Sequence, residues 1–284
     1  MQIKNVVVVG GGTMGNGIAH LFAVNGYDTV LIDTKQEYID RALSMIKKNL
    51  ERQAQKGTIQ VSDVKAALSR IRPSLRLEEA CVGDLVIEAV FEESEVKTEI
   101  FKKLDAVCRP DTILASNTSS LPITAIAAKT KRPDRVIGMH FMNPVPMMKL
   151  VELIRGIATS DETFNIVNDI CLKLGRNPVE VNDYPGFVSN RVLIPMINEA
   201  IFCLMEGVAT REAIDTVMKL GMNHPMGPLT LADFIGLDIC LDIMNVLYNG
   251  YGDCKYRPCP LLVKMVQAGY LGRKTGRGFY AYEK

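Results

Sequence analysis

The sequence predicts an α/β protein, in which a doubly wound parallel sheet is followed by an all-helical domain. In the first part of the chain, short Val-rich apolar segments alternate with amphipathic helical patterns, as in βαβ units. A glycine-rich turn, G-G-G-T-M-G at 10–15, stands between the first apolar segment and the first helical pattern. A polar break containing Pro and Gly, N-D-Y-P-G at 182–186, precedes a purely helical texture. We therefore predict two domains, 1–184 and 185–284.

Composition excludes several classes of protein. The 284 residues are enough for two domains, and the formal charge of +1 gives no general attraction to nucleic acid or anionic membrane. No apolar run reaches the roughly 20 residues that span a bilayer, and the N-terminus enters the first strand without a secretion signal. The seven cysteines form no C-x-x-C pair and the three histidines are far apart. We expect no metal site and a reducing, cytoplasmic setting.

The N-terminal segment has the pattern of a dinucleotide-binding, Rossmann-type unit. Ile3–Val9 is a Val-rich strand that runs into G-x-G-x-x-G, and a helical pattern follows. The first glycine permits a tight turn, the second lets the backbone approach a pyrophosphate, and the third allows helix and strand to pack closely. The helix N-terminus offers N–H groups and a positive dipole end. The predicted cofactor-binding residues of this turn are Gly10, Gly11, Gly12, Thr13, Met14 and Gly15.

The second predicted strand indicates which dinucleotide binds. Thr29–Ile32 ends in Asp33, about 20 residues after the glycine turn. A carboxylate there accepts hydrogen bonds from ribose hydroxyls and repels a 2′-phosphate, which favours NAD over NADP. Lys35 nearby weakens this preference.

A helical hairpin is predicted where a plain doubly wound fold has a single crossover helix. Lys35–Lys56 is a long amphipathic pattern, and Ser62–Arg70 is a second helix with Ser62 as its N-cap. One face of the first helix is a solvated polar and basic surface or, alternatively, a site for substrate phosphates. Its residues are Asn49, Arg52 and Lys56.

Two further strands bring polar residues to the carboxyl edge of the sheet, where open α/β sheets bind ligands. Asp84–Ala89 is followed by Glu92 and Lys97. Thr112–Ala115 runs into S-N-T-S-S at 116–120, which contains Ser119. Such a run serves a turn and helix cap or hydrogen-bonds a nicotinamide ribose or a substrate oxygen.

The segment G-M-H-F-M-N-P-V-P-M-M-K-L-V-E at 138–152 contains a candidate acid–base pair. Two strands, Val136–Phe141 and Met148–Ile154, flank a turn rich in Pro and Asn. If they pair antiparallel about Pro146, His140 lies opposite Glu152 on the same face. An imidazole beside a carboxylate suits proton transfer, although a histidine in an apolar run can also be a simple core residue.

The remainder of the chain predicts helices. They cover Phe187–Glu206, Arg211–Leu220 with Thr210 as N-cap, Leu229–Tyr248 and Pro260–Ala268. Helices this apolar in a small domain suggest a subunit interface. Asn190 lies in the first turn of the helix predicted over Phe187–Glu206. Its role is either in packing or in function. A basic, glycine-rich tail places Lys274 at a surface or near an anion.

Taken together, these motifs resemble the 3-hydroxyacyl-CoA dehydrogenase family, and within it the branch that acts on 3-hydroxybutyryl-CoA. The resemblance covers the whole chain and includes S-N-T-S-S-L, G-F-V-S-N-R, N-H-P-M-G-P-L and G-R-K-T-G-R-G-F-Y as well as the segments above. It implies an NAD-dependent oxidoreductase that interconverts (S)-3-hydroxybutyryl-CoA and acetoacetyl-CoA, dimerises through the helical domain and binds acyl-CoA between its domains.

The resemblance also implies roles for individual residues. His140 is the catalytic base and Glu152 its partner, while Ser119 and Asn190 contact the reacting oxygen. The residues implied around the cofactor are Asn143, Glu92, Lys97, Ser119 and Lys274, and the hairpin with Lys56 meets the CoA. The hairpin has Arg52 and Gln55 where relatives often carry lysines, so its contacts are the weakest part of the comparison.

Two alternatives stay open at this point. One is a dehydrogenase of a free hydroxy acid on a similar plan, although such enzymes commonly use a lysine instead of a His/Glu pair. The other is a non-enzymatic relative resembling lambda-crystallin, against which the joint presence of His140, Glu152, Ser119 and Asn190 argues.

Overall fold

A computed structural model describes residues 2–283 of the chain. The chain forms two compact units, of which the first ends at Asp183 and the second begins at Tyr184. The first unit is a layered α/β structure and the second is helical, so the predicted fold class is confirmed. No helix within residues 2–283 is both long enough and apolar enough to cross a membrane.

The first unit is built on one sheet, which has eight strands within residues 2–283 in the order β3-β2-β1-β4-β5-β6-β7-β8. Neighbouring strands are parallel except β6 and β7, which are antiparallel. The strands are β1 Asn5–Val9, β2 Asp28–Ile32, β3 Ile71–Ser74, β4 Leu85–Glu88, β5 Ile113–Ser116, β6 Val136–Phe141, β7 Leu150–Arg155 and β8 Asn177–Asn182.

Helices and central strands form one apolar core. Strands β4, β5 and β6 are buried along their whole length, which explains their continuous apolar sequences. The carboxyl ends of β1, β4, β5 and β6 lie at one edge of this sheet, because these strands are parallel. The helices of the unit are α1 Thr13–Val24, α2 Gln36–Gln55, α3 Val61–Ser69, α4 Ser94–Val107, α5 Ile123–Ala127 and α6 Asp161–Lys173.

The predicted helical hairpin is present as α2 and α3, but the start of α3 differs from our prediction. The N-cap is Gln60, whose backbone N–H donates to Asp63 Oδ2 at 2.9 Å in a capping box. Ser62 lies inside the helix, so its prediction as N-cap was wrong. The helix begins after Gln60 because Asp63, three positions later, completes the capping box. Strand β3, at the edge of the sheet, was not predicted.

The second unit consists of helices and a C-terminal tail. The helices are α7 Ser189–Met205, α8 Arg211–Gly221, α9 Pro228–Ile235, α10 Leu237–Tyr251 and α11 Pro260–Gln267. Thr210 caps α8 as predicted, with its hydroxyl accepting from Ala213 N at 3.3 Å. The single helix predicted over Leu229–Tyr248 was wrong. Gly236 has φ +109°, which glycine tolerates, and it separates α9 from α10.

A buried carboxylate fixes the tail against α9. Asp233 is 1% exposed and accepts from the backbone N–H groups of Phe279 and Tyr280, each at 2.9 Å. The hydroxyl of Tyr282 also donates to it at 2.9 Å. The conformation of the segment containing Lys274 is therefore specified by contacts within this unit.

Candidate active site

The paired strands β6 and β7 bring His140 and Glu152 together. The two residues are register partners, and His140 Nδ1 lies 2.8 Å from Glu152 Oε2. Their side chains are 8% and 3% exposed. The predicted pairing is confirmed. Because an ionised carboxylate can only accept, a neutral imidazole in this contact carries its proton on Nδ1 and has Nε2 as its basic nitrogen.

The turn after β6 packs against the helix that follows the glycine-rich turn. Val145 is buried, and a Cβ on Gly17 of α1 would lie 2.9 Å from the Val145 Cβ. Asn143 is exposed in this turn and precedes a cis peptide bond to Pro144. Contact between Asn143 and a cofactor stays a prediction.

The geometry of the glycine-rich turn fits a dinucleotide pyrophosphate. Gly10 has φ +106°, and a Cβ there would lie 2.5 Å from the carbonyl oxygen of Ala89. A Cβ on Gly15 would lie 1.7 Å from Gly10 O, so any side chain would separate helix from turn. Gly12 is exposed, with open space where a Cβ would be, and it is the N-cap of α1. The backbone at the start of α1 is thus accessible to an anion.

Asp33 lies beside the same turn. Its Oδ2 accepts from Gly11 N at 2.6 Å and its Oδ1 from Thr34 N at 2.6 Å. These bonds hold the carboxylate at the carboxyl end of β2, where the sequence predicts contact with a ribose. Thr13 is exposed and Met14 is half-buried in the first turn of α1.

Glu92 holds the loop that contains Ser119. Its Oε1 accepts from Ser119 N at 2.7 Å, from Ser120 N at 3.0 Å and from the Thr118 hydroxyl at 2.5 Å. Burial opposes ionisation of Glu92, but the charge of Lys97 and these hydrogen bonds outweigh it, so the pKa of Glu92 lies below its ordinary value. Glu92 is therefore a carboxylate at neutral pH.

A second contact joins this loop to the His140 strand. Asn117 is 7% exposed, and its Oδ1 accepts from Phe141 N at 3.0 Å. Strands β5 and β6 are also in register with Ser116 opposite Gly138. Ser119, which is half-buried, and His140 are thus carried by neighbouring strand ends at the carboxyl edge of the sheet.

Two predicted site residues belong to the second unit. Asn190 is half-buried in the first turn of α7, where its backbone N–H donates to Gly186 O at 3.2 Å. The amino group of Lys274 lies 2.5 Å from Asp238 Oδ2. The sequence predicted Lys274 at a surface or near an anion, and its side chain is 45% exposed beside the carboxylate of Asp238. The roles of Asn190 towards substrate and of Lys274 towards cofactor stay predictions.

The polar face of the hairpin is partly open to solvent. Arg52 and Lys56 are exposed and Asn49 is half-buried. The hairpin is tied to α1 by a contact of 3.1 Å between His20 Nε2 and Gln53 Oε1. Burial lowers the pKa of His20, which favours a neutral imidazole inside the structure. Binding of CoA by this face stays a prediction.

Sequence reasoning missed Glu88, which lies beneath residues 117–122, hereafter the Ser119 loop. Glu88 is fully buried at the end of β4, where it bonds Lys97 and Ser116. The available signal was a carboxylate inside an otherwise apolar strand, which is unusual unless the charge is paired. Within residues 2–283, no three His, Cys, Asp or Glu side chains are grouped so that they could hold a metal ion.

The comparisons with known proteins decide the family. The sequence model of the 3-hydroxyacyl-CoA dehydrogenase NAD binding domain matches residues 5–184, and that of the C-terminal domain of the same family matches residues 186–282. The chain belongs to the 3-hydroxyacyl-CoA dehydrogenase family. The expected NAD cofactor is confirmed by the match to the family's NAD-binding domain.

Several dehydrogenases of this family are similar over the full length. A Bacillus subtilis protein named "Probable 3-hydroxybutyryl-CoA dehydrogenase" is 62% identical, with 100% of this chain and 99% of that protein covered. The 3-hydroxybutyryl-CoA dehydrogenase of Bradyrhizobium diazoefficiens is 56% identical over 99% of this chain and 96% of its own. The crystal structure of (S)-3-hydroxybutyryl-CoA dehydrogenase from Ralstonia eutropha is 50% identical, with a TM-score of 0.97 and complete coverage of both chains.

Proposed function

We propose that this family member interconverts (S)-3-hydroxybutyryl-CoA and acetoacetyl-CoA with NAD, and that His140 is the general acid–base. The observation that carries the proposal is the buried His140–Glu152 pair at 2.8 Å, on the strand next to the Ser119 loop. Oxidation of a secondary alcohol requires a base for the hydroxyl proton, and a neutral imidazole can serve as that base.

The proposed mechanism assigns each residue a task. In the oxidative direction, His140 Nε2 takes the hydroxyl proton of the substrate. Glu152 holds the imidazole in the tautomer with the proton on Nδ1 and stabilises the imidazolium that forms. In the reductive direction the imidazolium returns that proton to the carbonyl oxygen. NAD, when bound, supplies the hydride chemistry.

Ser119 and Asn190 are proposed to stabilise charge on the reacting oxygen. A hydroxyl and an amide can each donate a hydrogen bond to an alkoxide as it develops. Glu92 and Asn117 support this role for Ser119, because they fix its loop by hydrogen bonds of 2.7 Å and 3.0 Å. Asn49, Arg52 and Lys56 are proposed to contact the CoA moiety, since two cations on an exposed face suit phosphate groups.

The substrate proposal predicts a clear preference between two related compounds. With NADH as reductant, we expect acetoacetyl-CoA to be reduced with a kcat/KM at least 100-fold above that of free acetoacetate. The physical reason is that the CoA moiety supplies binding energy far from the reacting carbon. Initial rates of NADH oxidation give kcat/KM for acetoacetyl-CoA and for free acetoacetate. A preference for the free acid would point instead to a hydroxy-acid dehydrogenase. NADH binding without turnover of any 3-ketoacyl-CoA from C4 to C16 would favour a non-enzymatic relative.

The position of Asp33 predicts the cofactor preference. We expect kcat/KM for NADH to exceed that for NADPH by at least tenfold, because a 2′-phosphate would be repelled by this carboxylate. Asp33→Asn should lower the ratio of kcat/KM for NADH to kcat/KM for NADPH by roughly tenfold. This change corresponds to about 1.4 kcal/mol of discrimination between the two cofactors. Glu37→Gln, a charge change at an exposed site nearby, is the control. Equal use of both cofactors by the unaltered protein would contradict the assignment of Asp33.

We also propose that the helical unit forms a homodimer in a cytoplasmic setting. Large apolar side chains on α7 and α8 support the dimer, because Val192, Val217 and Leu220 are 66%, 60% and 81% exposed. All seven cysteines are free thiols, which suits a reducing compartment. Sedimentation equilibrium tests the dimer, and a mass of 31.4 kDa at micromolar concentration would contradict it.

A further inference from the structure

A buried ion pair lies beneath the Ser119 loop. Glu88, the last residue of β4, is 0% exposed, and Lys97 of α4 is 1% exposed. Lys97 Nζ lies 2.6 Å from Glu88 Oε1. A buried charge is costly unless it is paired and hydrogen-bonded, so this pair is held by the surrounding structure in a defined geometry.

Glu88 reaches the beginning of the loop. Its Oε2 accepts from the Ser116 hydroxyl at 2.6 Å, and Ser116 Oγ in turn accepts from Thr118 N at 3.2 Å. Its Oε1, besides the contact with Lys97, accepts from Val90 N at 2.7 Å. One carboxylate therefore connects the end of β4 with the end of β5, from which the Ser119 loop emerges.

Lys97 reaches the other side of the loop through Glu92. Its Nζ lies 3.2 Å from Glu92 Oε2, while Glu92 Oε1 accepts from Ser119 N at 2.7 Å. The ammonium thus attracts one carboxylate oxygen of Glu92, and the other oxygen is directed at the loop. The side chain of Glu92 is 39% exposed, whereas that of Glu88 is fully buried.

The donors of Lys97 are accounted for within this chain. A lysine ammonium has three N–H donors, and three oxygens surround it, those of Glu88, Glu92 and the Val90 carbonyl at 3.4 Å. A contact between Lys97 and the cofactor, as the family resemblance implies, would require one of these partners to be given up.

We propose that Glu88 and Lys97 are positioning residues that set the Ser119 loop, acting through Ser116 and Glu92. The inference rests on the proposed function, in which Ser119 contacts the reacting oxygen. Misplacement of a catalytic group by about 1 Å can cost roughly 100-fold in rate. We therefore expect loss of the ion pair to reduce turnover by displacing the loop, without a direct contact between either side chain and the reacting atoms.

The test uses three variants, Glu88→Gln, Lys97→Met and the double variant, in the full chain. We expect kcat for acetoacetyl-CoA reduction to fall by roughly 10- to 100-fold in each. The loss in the double variant should be no greater than in the single ones, because the two residues act as a unit. The matched control is Lys102→Met, which removes an ammonium from the same helix where the side chain is 50% exposed. Its kcat should stay within twofold of the original.

The double variant separates positioning from mere stability. It contains no buried unpaired charge, so we expect its Tm to be closer to that of the original protein than the Tm of either single variant. The kcat of the double variant should nevertheless stay at least tenfold below that of the original protein. If kcat recovers together with Tm, the pair is only structural. If Glu88→Gln keeps full kcat while Lys97→Met weakens NADH binding, Lys97 contacts the cofactor instead.

Amide hydrogen exchange gives a second measurement that does not depend on the reaction. The N–H groups of residues 118–121 donate to the side chains of Glu92, Ser116 or Thr118. We expect their exchange to accelerate at least tenfold in the double variant and to be unchanged in Lys102→Met. Unchanged exchange in the double variant would overturn the inference. Failure of the original protein to reduce acetoacetyl-CoA would refute the proposed function, while the exchange result would still decide whether the pair positions the loop.

Discussion

His140→Ala is expected to lower kcat for acetoacetyl-CoA reduction by roughly 10²- to 10⁴-fold, the usual contribution of a general acid–base. The substitution removes the only group in the proposed mechanism that exchanges a proton with the substrate oxygen. The dissociation constant of NADH, measured by fluorescence titration, should change by less than threefold, because the glycine-rich turn and Asp33 are unaltered. Steady-state kinetics and the titration together show whether the loss lies in the chemical step.

The control for this variant is His224→Gln, which changes a half-buried histidine of the second unit to which no role in the reaction is assigned. Its kcat should stay within twofold of the original. A His140→Ala protein that is folded by circular dichroism and turns over at a near-normal rate would remove His140 from the mechanism.

Glu152→Gln is also expected to have a large effect, lowering kcat by up to roughly 10⁴-fold, the loss found when the carboxylate of a catalytic triad is replaced by its amide. The glutamine keeps the shape and an acceptor oxygen for His140 Nδ1, but it can no longer offset the charge of the imidazolium. Its amide group can also donate to Nδ1, which would favour the wrong tautomer. The expected loss is in kcat, with little change in cofactor affinity.

Two further variants make the interpretation specific. Glu180→Gln alters a carboxylate on the adjacent strand β8 that is 50% exposed and paired with Arg155, and it should leave kcat within twofold. The double variant His140→Ala/Glu152→Gln should be no slower than His140→Ala alone, because the pair acts as a unit. A further tenfold loss in that double variant would show that Glu152 has a task independent of His140.

The sequence was informative where local patterns and tertiary structure agree. The His140–Glu152 contact followed from two apolar segments and the turn between them, since antiparallel pairing places opposite residues on one face. The strand, glycine-rich turn and helix at residues 3–24 were likewise specified by local requirements. Gly10 and Gly15 stand where any Cβ would collide with the backbone.

Features that depend on contacts distant in sequence could not be predicted. The interruption at Gly236 was hidden within an apolar pattern that continues on both sides of it. Strand β3 is four residues long, contains Pro73 and is a strand only because it pairs with β2. The network below the Ser119 loop joins β4, α4 and β5, so the partners of Glu88 became evident only in three dimensions.

The pairing of β6 and β7 has a consequence for how the enzyme could vary over evolutionary time. Each of the two strands is bonded on its other side, β6 to β5 and β7 to β8. The register that places His140 opposite Glu152 is therefore supported by four paired strands as well as by the connecting segment 142–149. Substitutions in that segment that keep its length could change the surroundings of Asn143 while the pairing of His140 with Glu152 stays unchanged. If the roles proposed for Asn143 and His140 hold, ligand contacts and acid–base chemistry are separately adjustable within 138–152.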